Sequence, residues 1–236
     1  MSTSSDSSPE PNAADLGYTL WAVLRRDPHA GRGAEEAVGL GGQPLADAIR
    51  SVEADGVTLR GLYDVSGLRA DADLLIWLTG TTADGIQHAL RTLRRSAELA
   101  ALLPTWNALG VHRDAEFSRT HAPAFMRGLA PKTWLTVYPF VRSYDWYLLP
   151  DDERRTMLAE HGRMGGDYPQ VQANTVASFA LGDYEWLLGL EADDPIDLVD
   201  MMRHLRSAEA RRHVREEVPF FTGRRVTLDE LAEVLA

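Results

Sequence analysis

Cysteine is absent from this chain of 236 residues. Its absence excludes disulfides, zinc–thiolate sites, iron–sulfur clusters, a thiol nucleophile and a covalently attached c-type haem. Long apolar runs are missing too, since none approaches the roughly 20 residues that span a bilayer. The first residues have neither the basic start nor the apolar core of a signal peptide. We therefore expect a cytoplasmic protein with no membrane span.

Basic side chains are in deficit, with 24 Lys and Arg against 35 Asp and Glu, and the formal net charge is −11. Binding to a phosphate backbone needs a basic surface, so the charge argues against a nucleic-acid partner. The negative net charge does not exclude a local group of arginines around an anionic ligand. The glycine-rich nucleotide-binding patterns and the HExxH zinc pattern are also missing from the sequence.

The remaining composition is that of an ordinary globular protein, with 44% hydrophobic and 25% charged residues. The Ser/Pro-rich and acidic residues 1–15 are predicted to form a disordered tail. We predict an N-terminal half over residues 16–112, a connector over 113–131 and a C-terminal half over 132–236.

Hydrophobic periodicity predicts the order β-α-β-β-α-β in both halves, which is the ferredoxin-like pattern and indicates an internal duplication. The elements predicted for the first half are strands Tyr18–Leu24, Val57–Val65, Asp73–Thr79 and Thr105–Val111 and helices Gln43–Ala54 and Asp84–Ala97. Those predicted for the second half are strands Thr133–Val141, Val171–Leu181, Tyr184–Leu190 and Pro219–Thr222 and helices Asp151–Met164, Pro195–Arg206 and Leu228–Leu235.

The segment WLTVYPFVRSYDWY carries aromatic and basic side chains in near-regular alternation, at Tyr138, Arg142, Tyr144 and Trp146. In an extended strand these side chains share one face, unless Pro139 bends the register. A phenol, a guanidinium and an indole on one face suit a large anionic aromatic ligand. Ordinary sheet packing is the alternative for the aromatic rings. Arg142 is harder to explain by packing, because a buried guanidinium requires an anion.

His161 differs from the other histidines because it shares an apolar helical face with Met157 and Leu158, four and three residues earlier. A histidine on such a face is either a core residue or a metal ligand. The spacing shows no second ligand nearby, but haem needs only one axial ligand from the protein.

Five landmarks of the second half resemble the coproheme decarboxylases, the haem-synthesis branch of the chlorite dismutase superfamily. They are the segments Tyr138–Arg142, Asp145–Leu149, His161–Pro169, Asp183–Glu191 and Pro219–Arg224. Their order and spacing match across the whole second half, whereas the first half is similar mainly in its predicted element order. The resemblance implies an α+β fold of two fused ferredoxin-like halves forming a dimeric-type α+β barrel. It also implies a homopentamer with the porphyrin site in the C-terminal half.

The resemblance assigns roles to individual residues. His161 matches the axial iron ligand, Tyr138 the redox-active tyrosine and His121, in the connector, a distal histidine that takes the proton from peroxide. Arg142 matches a propionate anchor, and Arg206 matches a second one, in competition with Arg203. Trp146 resembles an aromatic residue beside the substrate that can share oxidising equivalents. The connector arginines Arg119 and Arg127 receive no role.

The implied reaction is the hydrogen peroxide-dependent decarboxylation of iron-coproporphyrin III (coproheme) to haem b. Two propionates become vinyl groups through a tyrosyl radical, and the bound porphyrin supplies its own redox centre. A transient contact with the coproporphyrin ferrochelatase is expected. The alternatives are a haem peroxidase or chlorite-degrading relative, a non-catalytic haem carrier or sensor, and a small cofactor-free barrel oxygenase.

The sequence differs from that of the chlorite dismutases at one position, and this difference separates the alternatives. Chlorite dismutases carry a distal arginine on the strand after the proximal histidine. In this chain the corresponding position falls at Ala173 or Asn174, and no arginine lies between Met164 and Leu190. Chlorite decomposition is therefore not expected.

Overall fold

The structure is a computed structural model that describes residues 17–28, 42–113 and 122–236. The predicted tail, and with it His121 and Arg119 of the connector, lie outside these residues. The strands of the described part are β1 (Tyr18–Arg25), β2 (Thr58–Asp64), β3 (Leu74–Gly80), β4 (Leu103–Val111), β5 (Trp134–Arg142), β6 (Gln172–Ala177), β7 (Trp186–Ala192), β8 (Val214–Glu216) and β9 (Phe221–Val226). The helices are α1 (Leu45–Ala54), α2 (Ala83–Leu93), α3 (Asp151–Gly166), α4 (Pro195–Leu205) and α5 (Leu228–Val234).

The strands form one antiparallel sheet that closes on itself. Its order is β7-β6-β4-β1-β3-β2-β9-β5, and β5 pairs back onto β7. Within it, β4-β1-β3-β2 and β6-β7-β5-β9 are two copies of the ferredoxin-like arrangement. The copies meet where β2 pairs with β9 and where β4 pairs with β6. The predicted α+β fold of two ferredoxin-like halves is confirmed, with the sheet arranged as a ring.

Each strand of the ring has an inner and an outer face. Trp21, Trp77, Leu135, Val137 and Phe221 belong to the cluster that fills the inside of the ring. A second cluster lies outside the first half, where α1, α2 and α5 cover the strands. A third and smaller cluster, which includes Tyr138 and Leu198, lies outside the second half. None of the described helices is long and apolar enough to cross a membrane.

The element boundaries differ from the predicted ones mainly in the second half. The strand predicted to reach Leu181 ends at Ala177, because the chain turns, with Leu181 N donating to Ser178 O and Ala180 at φ 62°. The helix that begins at Pro195 ends at Leu205 and is followed by a separate 3-10 turn, Glu209–His213. Strand β8 was not predicted from the sequence.

Candidate functional site

The helices that follow the first strand of each half pack very differently. Helix α1 buries Leu45, Ala48 and Val52 against the first half of the sheet. Helix α3 has the same place in the second half and 16 residues, yet Met164 is its only buried residue. Its main contacts are with α4 and the 3-10 turn. The second half therefore leaves part of its outer face without the cover that α1 gives the first half.

The uncovered part lies on β6 and β7, and we call it the open face. Val176 of β6 and Leu187 of β7 belong to the cluster inside the ring. Since side chains alternate along a strand, Thr175 and Leu188 point outward. Thr175 pairs with Leu188, and Leu188 pairs with Tyr138 of β5. Thr175 is exposed and Leu188 half-buried. The row leads from a buried tyrosine over a half-buried leucine to an exposed threonine.

The alternation of side chains along β6 distinguishes the two candidate positions for the distal arginine of chlorite dismutases. Asn174 points into the ring, where its side chain is fully buried and donates to Gly189 O over 3.0 Å. Ala173 points outward and is exposed on the open face. Of these two residues, only Ala173 therefore lies on the open face, where it brings a methyl group instead of a cation.

His161 lies on the partly buried side of α3. Burial lowers the pKa of His161 below its usual value of 6.5, and the nearby Arg142 guanidinium lowers it further. Glu160 and Glu217 act in the opposite direction and raise it. The net result is an imidazole that stays neutral at pH 7, the state in which its ring nitrogen can bind a metal. In the described part of the chain, no group of three or more His, Asp or Glu side chains could hold a metal ion.

Arg142 ends β5 and lies between aromatic rings. Its guanidinium carbon is 4.1 Å from the centre of the Trp146 ring and 5.0 Å from that of Phe140. Trp146 is 1% exposed, and its ring also contacts His213 at a centroid distance of 5.5 Å. The buried indole therefore packs against the guanidinium and holds it in place.

The predicted single face from Tyr138 to Trp146 holds only as far as Arg142. Pro139 does not interrupt β5, whose register with β7 is continuous. After Arg142 the chain leaves the sheet, and Trp146 begins a 3-10 turn. Tyr144 is 78% exposed and contacts the Arg215 guanidinium at 4.6 Å, so it lies apart from the other three predicted residues.

Tyr138 is nearly buried, with 4% of its surface exposed. Its ring stacks on Phe220 at a centroid distance of 4.4 Å, and its hydroxyl donates to the Met202 sulfur over 3.5 Å. Burial raises the pKa of the phenol well above 10, and Glu217 raises it further, while Arg206 and Arg211 lower it. The phenol therefore keeps its proton at every physiological pH.

Glu217 is a site residue that sequence reasoning did not single out. It raises the pKa of both His161 and Tyr138, so it lies near both side chains. It pairs with Arg206, and Arg211 donates to the same carboxylate over 2.7 Å. Two guanidinium groups thus share one carboxylate, which leaves a net positive charge for an anion. The charged run Arg211–Glu217 was the available signal, but its pairing could not be deduced from spacing.

The structure thus brings together His161, Arg142, Tyr138, Trp146 and Arg206, all from the second half. His121 lies outside the described residues. Arg127 and Arg203 are exposed. A neutral imidazole on α3, an Arg142 guanidinium near it and a second pair of cations on Glu217 suit an anionic ligand that contains a metal.

Comparisons with known proteins give the same picture. The family model described as chlorite dismutase matches residues 42–226. A coproheme decarboxylase from Mycolicibacterium smegmatis is 51% identical over 187 residues, which cover 79% of this chain and 81% of the relative. A coproheme decarboxylase from Staphylococcus saprophyticus is 23% identical over 190 residues, or 74% of this chain and 76% of the relative. Among solved structures, a mutant chlorite dismutase from Candidatus Nitrospira defluvii has a TM-score of 0.78 at 21% identity, covering 93% of this chain and 95% of the other. This last likeness shows a shared fold.

Proposed function

Because the chain belongs to the chlorite dismutase family, we propose that it is a coproheme decarboxylase, which converts iron-coproporphyrin III to haem b in haem synthesis. The relative from Mycolicibacterium smegmatis, 51% identical, carries this name. The observation that supports the proposal best is the open face beside α3, with His161 on the helix and Ala173 on the strand. A porphyrin is flat and apolar at its centre, and its carboxylates lie at its rim, as the cations of this site do.

The substrate is proposed to lie against the open face with its iron bound by His161. Depression of the His161 pKa keeps the imidazole free of a proton, so no proton has to leave when the iron binds. Arg142 and Arg206 bind propionates by charge-assisted hydrogen bonds. Arg142 is held for this by Trp146 and Phe140. Arg206 can exchange part of its pairing with Glu217 for a ligand carboxylate, since Arg211 stays on Glu217.

The proposed reaction removes one hydrogen atom, one electron and carbon dioxide from each of two propionates, which become vinyl groups. One hydrogen peroxide is reduced to two waters for each propionate, so the electrons balance. The iron of the substrate supplies the redox chemistry. Tyr138 is the proposed hydrogen-atom acceptor, as a tyrosyl radical. Its buried phenol, which stays protonated, exchanges a whole hydrogen atom more readily than it releases a proton.

Five finer predictions remain proposals. His121 is the proposed base that takes a proton from peroxide. The homopentamer, the cytoplasmic location and the transient contact with the ferrochelatase are proposed from the resemblance. The division at residues 112 and 132 is supported by the two ferredoxin-like strand arrangements.

The decisive assay mixes the purified protein with iron-coproporphyrin III and adds hydrogen peroxide in steps. Mass spectrometry should show two successive losses, each equal to the mass of formic acid, ending at haem b. A parallel sample receives chlorite, and an oxygen electrode records evolution of oxygen. Oxygen release without change of the porphyrin mass would favour a chlorite dismutase. Tight porphyrin binding without either reaction would favour a carrier.

A further inference from the structure

A buried ion pair joins the two halves of the ring. Arg60 of β2 is 8% exposed and Glu191 of β7 is fully buried, and Arg60 Nη2 lies 2.7 Å from Glu191 Oε1. Both groups belong to the inside of the ring, where Arg60 also contacts the Trp77 ring at 4.8 Å. Taking two charges out of water costs free energy. This cost is recovered only when the other hydrogen bonds of both groups are made as well.

Two further bonds of the pair go to the backbone at residues 129 and 132, whereas Arg60 Nε has no partner among the described residues. Arg60 Nη1 donates to Leu129 O over 3.0 Å. Lys132 N donates to Glu191 Oε2 over 3.1 Å. The ion pair thus holds two backbone positions of the segment that links the halves.

Asn174 extends the network to the start of the described connector. Its Nδ2 donates to Glu191 Oε1 over 3.0 Å, and its Oδ1 accepts from Phe125 N over 2.9 Å. Next to it, Ala124 N donates to Ala173 O over 3.2 Å. The connector is therefore attached along the edge of β6 at Ala173, the residue that is exposed on the open face. On this edge β4 pairs with β6 only at Ala177, four residues away.

Stability alone does not account for this arrangement. A buried ion pair can often be replaced by apolar residues of similar size without loss of stability. A network that ends on backbone groups fixes the path of those groups, and residues 122–132, the described part of this segment, form no strand or helix that would do so. All of its side chains point away from the open face, so none of them touches a ligand there.

We propose that Arg60, Asn174 and Glu191 are positioning residues for the substrate site. They hold residues 122–132, which are the described end of the connector and the first residue of the second half, as the wall of the open face next to Ala173. The inference rests on the proposed function only in naming coproheme as the ligand that this wall borders.

The test compares Asn174→Leu and the double variant Arg60→Met/Glu191→Leu with wild type. The double variant removes both charges together, which avoids leaving one of them buried and unpaired. Thr227→Ala is the matched control. It removes the capping box of α5, which is formed by Thr227 and Glu230 and belongs to a helix that packs against the first half, so it destabilises the fold without changing Arg60, Asn174 or Glu191. Hydrogen exchange of residues 122–132 is measured without ligand, and coproheme affinity is measured by absorbance without peroxide.

In both network variants, exchange in residues 122–132 should become about tenfold faster and the coproheme dissociation constant should rise about tenfold, the scale of one or two lost hydrogen bonds. Thr227→Ala should change neither, although its melting temperature falls. Unchanged exchange in the connector, or an equal loss of affinity in Thr227→Ala, would overturn the inference. Failure of wild type to bind coproheme would instead refute the proposed function, and the exchange data would still decide whether the network holds the connector.

Discussion

Replacing Arg142 by Met tests the electrostatic part of the site. The variant keeps an unbranched apolar stem over Trp146 and Phe140 but removes the charge. Two cation–π contacts, at 4.1 and 5.0 Å, are lost. Each contributes about 0.5–1 kcal/mol to stability. Contacts between the Met sulfur and the same rings recover about 0.3–1.5 kcal/mol. The free energy of unfolding should therefore fall by about 1 kcal/mol or less.

The effect on binding should be larger than the effect on stability. A charge-assisted hydrogen bond contributes about 1.5–3 kcal/mol, which corresponds to a loss of affinity of roughly 10- to 150-fold at 1.36 kcal/mol per tenfold. The assay titrates the protein with iron-coproporphyrin III and, separately, with the tetramethyl ester of the same porphyrin. The ester has no carboxylates, so its affinity should be nearly the same for Arg142→Met and wild type. Arg142→Lys keeps the charge without the planar fork and should lie in between.

The same variant has a second readout that does not need a ligand. Arg142 lowers the pKa of His161, so its removal should raise that pKa toward 6.5, and burial should keep it below. The titration is followed by NMR of the imidazole ring protons. Equal losses of affinity for the acid and the ester would refute the role of Arg142 as a carboxylate anchor. An unchanged pKa of His161 would refute the proximity of the two side chains.

Two further predictions concern the open face and the acid sensitivity of the fold. Thr175→Trp should fill the open face and weaken coproheme binding by at least about 100-fold. Thr58→Trp, at an exposed threonine of β2, should leave affinity unchanged, and normal binding by Thr175→Trp would show that the ligand lies elsewhere. The pKa of His161 is lower in the folded state than in the unfolded chain. As the pH falls below 6.5, the imidazole of the unfolded chain is therefore protonated first, and the free energy of unfolding decreases. In urea unfolding from pH 7 to pH 5, His161→Gln should lose less stability than wild type, and parallel curves would contradict this assignment.

The regular parts of the fold could be predicted because hydrophobic periodicity is local. The inward side of β5, Leu135 and Val137, and the outward Tyr138 follow directly from alternation along a strand, whereas Arg142 comes after a register shift at Val141. The prediction that Tyr144 and Trp146 share this face is wrong, because the strand ends at Arg142 and Trp146 begins a 3-10 turn. Ser143 N donates to His213 O, and the chain turns into a 3-10 turn instead of continuing the sheet.

The open face was harder to predict, although its signal was present. Helix α3 has few apolar residues, DDERRTMLAEHGRMGG, and such a helix cannot bury a wide stripe against a sheet. The network of Arg60, Asn174 and Glu191 had no local signal, because its members are 114 and 17 residues apart and meet only when the ring closes. Glu217 is only 6 and 11 residues from Arg211 and Arg206, but its pairing with them depends on the path of the 3-10 turn between them, which spacing does not give.

The most direct test of the account is the mass of the porphyrin after stepwise addition of peroxide to Tyr138→Phe. The variant keeps the ring that stacks on Phe220 and removes the O–H. Tyr144→Phe, which makes the same change at an exposed tyrosine of the same segment, is the matched control. Tyr138→Phe should bind iron-coproporphyrin III as wild type does and release almost no carbon dioxide, while Tyr144→Phe should complete the conversion to haem b. Completion of both decarboxylations by Tyr138→Phe at the wild-type rate would contradict the account.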